Sequence, residues 1–171
     1  NWPRLVQLAW IVSDYQGNVL SNENHIIIPN GFEIPSRSAA IHGITTSIAK
    51  LKGENLIDVI DKFLNVLQNA TAIAGHNISF DQHIVEAEIL RCGRPNILKS
   101  IPAYCTMKLS ANYCNILNSN KEVKWPTLQE LFFKLYGKKF EGAHNAMDDV
   151  DATYKCFFTL AKLGVIKLEN E

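Results

Sequence analysis

The residues Gly142-Ala-His-Asn-Ala-Met-Asp-Asp-Val-Asp-Ala-Thr153 constrain the fold most tightly, because they open a helix with one carboxylate on its wrong side. Asn145 is a candidate N-cap, Asp148 stands three residues on as in a capping box, and Gly164 offers a stop. At the helical period, Met147, Val150, Tyr154, Phe157 and Ala161 share the flank that would face a core. Asp148, Asp151, Lys155 and Lys162 gather opposite, with Asp151 and Lys155 as an i,i+4 pair. The helix dipole accounts for an acidic first turn. It does not account for Asp149, which projects beside Ala146, Ala152, Thr153, Cys156 and Leu160 on the edge of the buried arc. A carboxylate there has to be paired, hydrogen-bonded or metal-bound, since an isolated buried charge is too costly.

The same anomaly recurs upstream. Thr71 to His76 reads as a short strand running directly into Asn77-Ile-Ser-Phe-Asp-Gln-His83, with a helix from about Ser79 to Cys92. Gln82, His83 and Glu86 fall on its solvent side, whereas Asp81 projects between Ile84 and Val85 on the apolar side. His76 reads as a strand-end hydrogen-bonding residue and His83 as a surface histidine. In open α/β sheets ligands collect beyond strand carboxyl ends, where the next helix begins.

Around these two segments the chain alternates strand and helix patterns. Leu5 to Val12 is a nearly continuous apolar strand, covered on both faces, and His25 to Ile28 ends a second strand before Pro29. Ser13 to Asn18 joins them as a turn, with Asp14 in an Asx role, so the two strands pair antiparallel. Residues 30–47 read as a loop that contains Ile41-His-Gly-Ile-Thr45. Glu54 to Gln68 is an amphipathic helix, Ile101 to Cys105 a short strand, and Asn112 to Asn120 a loop. Thr127 and Glu130 form a capping box for a helix with Leu128, Leu131, Phe132 and Leu135 inward, ended by Gly137. Lys138 and Lys139 follow on the loop that leads to His144. No linker or repeat interrupts the 171 residues, which fit one domain with an α/β fold.

Lysine plus arginine and aspartate plus glutamate both number 17, so the net charge is zero. That argues against a broad electrostatic grip on duplex nucleic acid, but leaves room for a short contact to a strand end. The four cysteines show no metal-binding or disulfide spacing and imply free thiols in a reducing compartment, with a cytoplasmic location expected. No apolar run approaches the roughly 18 residues of a membrane span.

Two carboxylates on facing helices, with no arginine or lysine built into either face, repel unless cations lie between them. Oxygen donors of this kind suit Mg²⁺ or Mn²⁺. A histidine just ahead of one helix can remove a proton near neutral pH. Together they describe metal-assisted phosphodiester hydrolysis.

Three segments also carry a family resemblance. His76-Asn-Ile-Ser-Phe-Asp81 resembles the second exonuclease motif of the DnaQ-like 3′–5′ exonucleases, and the His144 to Asp149 spacing resembles the third motif of their DEDDh branch. Ile41-His-Gly-Ile-Thr45 resembles the turn these enzymes place at the 3′-terminal nucleotide. The resemblance implies an RNase H-like mixed sheet flanked by helices and two Mg²⁺ or Mn²⁺ ions. It implies Asp81 and Asp149 as metal ligands, His144 as general base, and Ile41, His42 and Asn77 as substrate-binding residues. The implied substrate is a single-stranded 3′ end of DNA or RNA. A DNA polymerase is an implied partner, since the proofreading subunit of bacterial DNA polymerase III belongs to the family.

One family feature is absent. No Asp-x-Glu stands on a strand before Leu5, and Asp14, Glu23 and Glu33 cannot replace it. The expectation is an N-terminally truncated domain, without its central first strand and with little nuclease activity of its own. The two strand pairs then share no partner strand. An alternative reading is a non-catalytic module of the same fold that holds nucleic acid or a polymerase.

Overall fold

A computed structural model describes residues 2–169. The chain opens with β1 (Gln7–Ser13) and β2 (Val19–Ile26), followed by α1 (Ser36–His42), α2 (Thr46–Lys52) and α3 (Leu56–Leu67). Next come β3 (Ile73–Gly75), α4 (Ile78–Arg91), β4 (Ala103–Cys105), α5 (Thr106–Leu109) and α6 (Ala111–Cys114). Two helices end the domain, α7 (Leu128–Tyr136) and α8 (Ala146–Lys162).

β1 and β2 pair antiparallel from Gln7 opposite Ile26 to Val12 opposite Ser21, with a bulge where Ser13 meets Val19. Asp14 holds the connecting turn as an Asx residue, accepting from the Asn18 backbone at 2.8 Å. β3 and β4 pair parallel from Ile73 opposite Ala103 to Gly75 opposite Cys105. Among the described residues no strand joins the two pairs, so β1 and β3 each keep one unpaired edge. That is the divided sheet the sequence led us to expect. α8 packs against both β1 and β3 and spans the division.

Every residue of β1 is buried or half-buried, because helices cover both of its faces. Leu8, Trp10 and Val12 pack with Val59 and Phe63 of α3, while Gln7, on the other face, reaches Ala146 of α8. A second cluster joins Ile60, Leu64 and Leu67 of α3 to Val85 and Ile89 of α4. A third joins Leu131 and Phe132 of α7 to Ala152, Cys156, Phe157 and Leu160 of α8. The capping box at Thr127 and Glu130 is formed, and Gly137 ends α7 in the left-handed conformation. All four cysteines are free thiols. No helix among the described residues is long and apolar enough to cross a membrane.

Three expectations need correction. Residues 30–47 are not one loop: Pro35 opens α1, Gly43 ends it with φ 76°, and the Thr45 hydroxyl caps α2 by accepting from Ile48 N. The Asn112 to Asn120 segment begins inside α6 and then turns back through a bridge between Leu117 and Val123. The deepest stripe of α8 is Ala152, Cys156, Phe157 and Leu160 rather than the flank beginning at Met147. Tyr154 and Phe158 lie over the β1–β2 turn, where the Tyr154 hydroxyl donates to the Gly17 carbonyl. That flank therefore covers the sheet margin, and the small side chains of Ala152 and Cys156 make the closest approach. Asp149 continues the buried stripe by one turn toward the helix N-terminus.

Candidate active site

Each candidate carboxylate stands in the first turn of a helix that follows a sharp reversal. Gly75 ends β3 with Ile78 folded over it, so close that a Cβ would lie 2.5 Å from Ile78 Cδ1. His76 follows, and Asn77 takes the left-handed conformation at φ 65° to turn the chain into α4. Asparagine tolerates that region better than most residues, which explains its place there.

His76 is a latch. Its Nε2–H donates to the Pro126 carbonyl at 2.9 Å, and its Nδ1 is hydrogen-bonded at 2.9 Å to the Thr106 hydroxyl, which also reaches the Gly75 carbonyl at 3.3 Å. Burial lowers its pKa. The strand-end role expected for His76 is therefore what the structure gives it, and the ring is not free to bind a metal.

Asp81 lies one turn into α4 and is solvent-accessible, against the expectation of a buried position. Protein atoms crowd around the carboxyl while one side still meets water. The crowding, with the nearby charge of Asp149, raises its pKa from 3.8 to about 6. Asp149 is half-buried, and burial raises its pKa as well. The His144 backbone N–H opposes that rise by donating to both Asp149 oxygens, at 3.3 and 3.2 Å.

His144 itself is exposed and takes φ 76°, in the left-handed region. The turn before it closes with Asn145 N donating to Gly142 O at 3.0 Å. Gly142 also has φ 76°, and a Cβ there would lie 2.2 Å from the Asp148 carboxylate. Asp148 therefore packs against the turn and forms no capping box; the Asn145 side chain caps α8 alone, accepting from Met147 N at 3.1 Å. Lys138 and Lys139 are exposed just upstream.

Gln7 ties the helix end to the sheet. Its Oε1 accepts from Ala146 N at 3.3 Å, and its Nε2 donates to Asn24 Oδ1 at 2.9 Å. The α1–α2 segment packs through Ile34, Ile44 and Ala49 on Val6 and Ile26, at this same end of the first sheet. It carries Ile41, 59% exposed, and His42, half-buried. His42 Nδ1 accepts from Ile44 N at 3.2 Å, and burial lowers its pKa. No hydrogen bond among the described residues joins Ile41, His42 or Asn77 to the two carboxylates.

Sequence reasoning missed Gln7 and Glu88. Gln7 is a polar residue in an apolar run, and Glu88 breaks the same apolar face of α4 that singled out Asp81. Glu88 is fully buried and its Oε1 accepts from Arg4 Nε at 2.9 Å and Leu5 N at 3.0 Å, with Arg91 beside it at 3.1 Å. Its role is to anchor the segment that feeds β1. Two cavities of about 500 and 380 Å³ lie at the far end of the strands, around Tyr15 and Thr71. No group of three or more metal-binding side chains occurs among the described residues.

The family described as Exonuclease matches residues 3–157. No curated protein sequence matches the chain significantly. Among solved structures, Escherichia coli exonuclease I in complex with a dA16 oligonucleotide superposes with a TM-score of 0.77 at 21% identity, covering 92% of this chain and 36% of that one. The dT13 complex of the same enzyme gives a TM-score of 0.77 at 23% identity, over 94% and 38%. A zinc-bound form of its single-stranded DNA complex gives 0.74 at 22% identity, over 92% and 36%. The likeness is one of fold, the RNase H-like exonuclease fold, and the chain spans little more than a third of the exonuclease I chains.

Proposed function

The chain belongs to the DnaQ-like exonuclease family, and on that premise we propose that it is the exonuclease domain of a metal-dependent 3′–5′ nuclease acting on single-stranded ends. The observation that carries this reading is the pair Asp81 and Asp149. They come from two helices, and burial together with the nearby charge of Asp149 raises the Asp81 pKa to about 6. A pair of carboxylates so placed is costly until a cation neutralises it.

The donor set fits Mg²⁺ or Mn²⁺. Both residues offer hard oxygen ligands, and Mg²⁺ commonly takes only one or two carboxylates, completing its shell with water and substrate phosphate. Asp81 and Asp149 are the residues that would hold the ions. Once bound, divalent cations supply stabilisation of the charge that builds on the phosphate oxygens. Asp149 is held in register by the His144 amide, so the ligand and the base move as one unit. An imidazole nitrogen of exposed His144 takes the proton from the attacking water as general base. Ile41 and His42, on the segment beside β1, face the terminal nucleotide, and Asn77 sets the turn that delivers Asp81.

A second reading rests on the scarcity of ligands. Two carboxylates hold two ions poorly, which suits a module that binds a strand end or a polymerase without cutting it. The two readings part on whether an Asp-x-Glu strand precedes Asn1 in the natural protein. Where it does, Mn²⁺-dependent release of nucleoside monophosphates from a 3′-labelled oligonucleotide is expected, with His144→Ala abolishing it. Undiminished release by that variant would refute the assigned base.

A further inference from the structure

The latch at His76 holds more than the turn into α4. The Thr106 hydroxyl bonded to Nδ1 begins α5, and two residues on stands Lys108. The Pro126 carbonyl that accepts from Nε2 follows directly on Trp125. The two arms converge: Lys108 Nζ sits over the Trp125 ring, 5.4 Å from its centroid. Trp125 is 59% exposed, an indole left in solvent by a chain with ample core to receive it. Lys108 makes no ion pair with a carboxylate among the described residues, whereas neighbouring Lys124 is neutralised by Glu130 at 2.7 Å. Both side chains are thus fixed at the carboxyl end of β3, the end that bears Asp81.

We propose that Trp125 and Lys108 form a platform for the nucleic-acid strand outside the candidate active site, with Trp125 stacking a nucleobase and Lys108 meeting a backbone phosphate. This inference rests on the exonuclease reading above. An exposed indole offers a flat face that accepts any base, and a stacked base contributes about 1–3 kcal/mol to single-strand binding. A lysine that already lies against the ring pairs with a phosphate by a short side-chain swing, and it neutralises charge where the chain as a whole carries none. A protein-docking surface would be served by the indole alone. The cation beside it, within a peptide unit or two of the His76 latch, favours a polyanion.

The test uses the chain as it stands, with two probes: a single-stranded deoxythymidine 12-mer, and thymidine monophosphate with Mn²⁺. Trp125→Ala is expected to weaken the 12-mer about five- to hundredfold, as the loss of one stacked base predicts, and to leave the mononucleotide unchanged. Trp125→Phe, which keeps an aromatic face, retains most of the affinity. Lys108→Ala lowers the slope of log affinity against log salt by about 0.7, the single-strand value for one phosphate contact. Equal 12-mer affinity in Trp125→Ala and the unsubstituted chain overturns the platform alone, and so does finding Trp125 covered in a dimer of the chain in solution. An unsubstituted chain that does not bind the 12-mer also overturns the platform, whereas the exonuclease reading stands or falls separately on the Mn²⁺-dependent release described above.

Discussion

The backbone N–H of His144 donates to both carboxylate oxygens of Asp149, at 3.3 and 3.2 Å. The proposed base and a proposed ligand are therefore locked through main chain rather than through the imidazole, which stays free at the surface. The lock requires His144 to hold φ 76°, a conformation that costs a non-glycine residue roughly 1–2 kcal/mol. His144→Gly keeps the amide and relieves the strain, while His144→Ala keeps the strain. Urea unfolding is expected to rank the glycine variant about 1 kcal/mol above the alanine variant, although both lack the imidazole. The reverse order would mean that the turn is not held by this bond.

Asp81 makes stability depend on pH in an unusual direction. Its pKa rises from 3.8 to about 6 on folding, so between those values the folded chain keeps a proton that the unfolded chain has lost. Stability contributed by this group is therefore full below about 4 and falls as pH rises through about 6. Asp81→Asn is expected to flatten that stretch of the profile. Mn²⁺ competes with the proton, so its apparent affinity should climb as pH rises through 6, and its presence should restore stability above that value. A metal affinity flat from pH 5 to 7 would exclude Asp81 as a ligand.

His76 works with the opposite sign. Burial lowers its pKa below the ordinary 6.5, so its contribution is present above 6.5 and is lost as pH falls through the folded value. His76→Ala leaves the Pro126 carbonyl without its donor and the Thr106 hydroxyl with the Gly75 carbonyl alone, at 3.3 Å. A cost of about 1–3 kcal/mol is expected, along with weaker acid sensitivity in thermal melts. The Asp81 and His76 slopes partly cancel in the unsubstituted chain, and the single variants separate them.

How far these features were legible depended on whether a single residue broke its local pattern. Asp149 and Asp81 did, since a carboxylate on an apolar helix face has few explanations. Glu88 breaks the same apolar face of α4, but its partners Arg4 and Leu5 lie more than 80 residues away in sequence, so helical phase alone does not show what it anchors. The short helices α1 and α2 were hidden by length: seven residues each leave no period to read, and their caps, Pro35 and Gly43 for α1 and Thr45 and Gly53 for α2, are also ordinary loop residues. The exposure of Asp81 was illegible for a deeper reason. Helical phase gives the direction of a side chain, while its exposure depends on what packs beside it in the tertiary structure.

Glu88 supplies a last prediction. It is fully buried, its Oε1 receives Arg4 Nε, Leu5 N and the neighbouring Arg91, and its Oε2 has no partner. An orphaned carboxylate oxygen in the interior costs stability, yet removing the whole group costs more, because Leu5 N loses its acceptor and two arginines lose their counter-charge. Both arginines are about a third exposed, at 35% and 31%, so water recovers part of that loss. Glu88→Ala is therefore expected to cost about 2 kcal/mol rather than the 3–5 of a sealed ion pair. The damage should concentrate where β1 begins. Amide exchange at Leu5 and Val6 should rise sharply, while β3 and β4 stay protected. Uniform loosening of both strand pairs would instead mean that they fold as a single sheet despite sharing no strand.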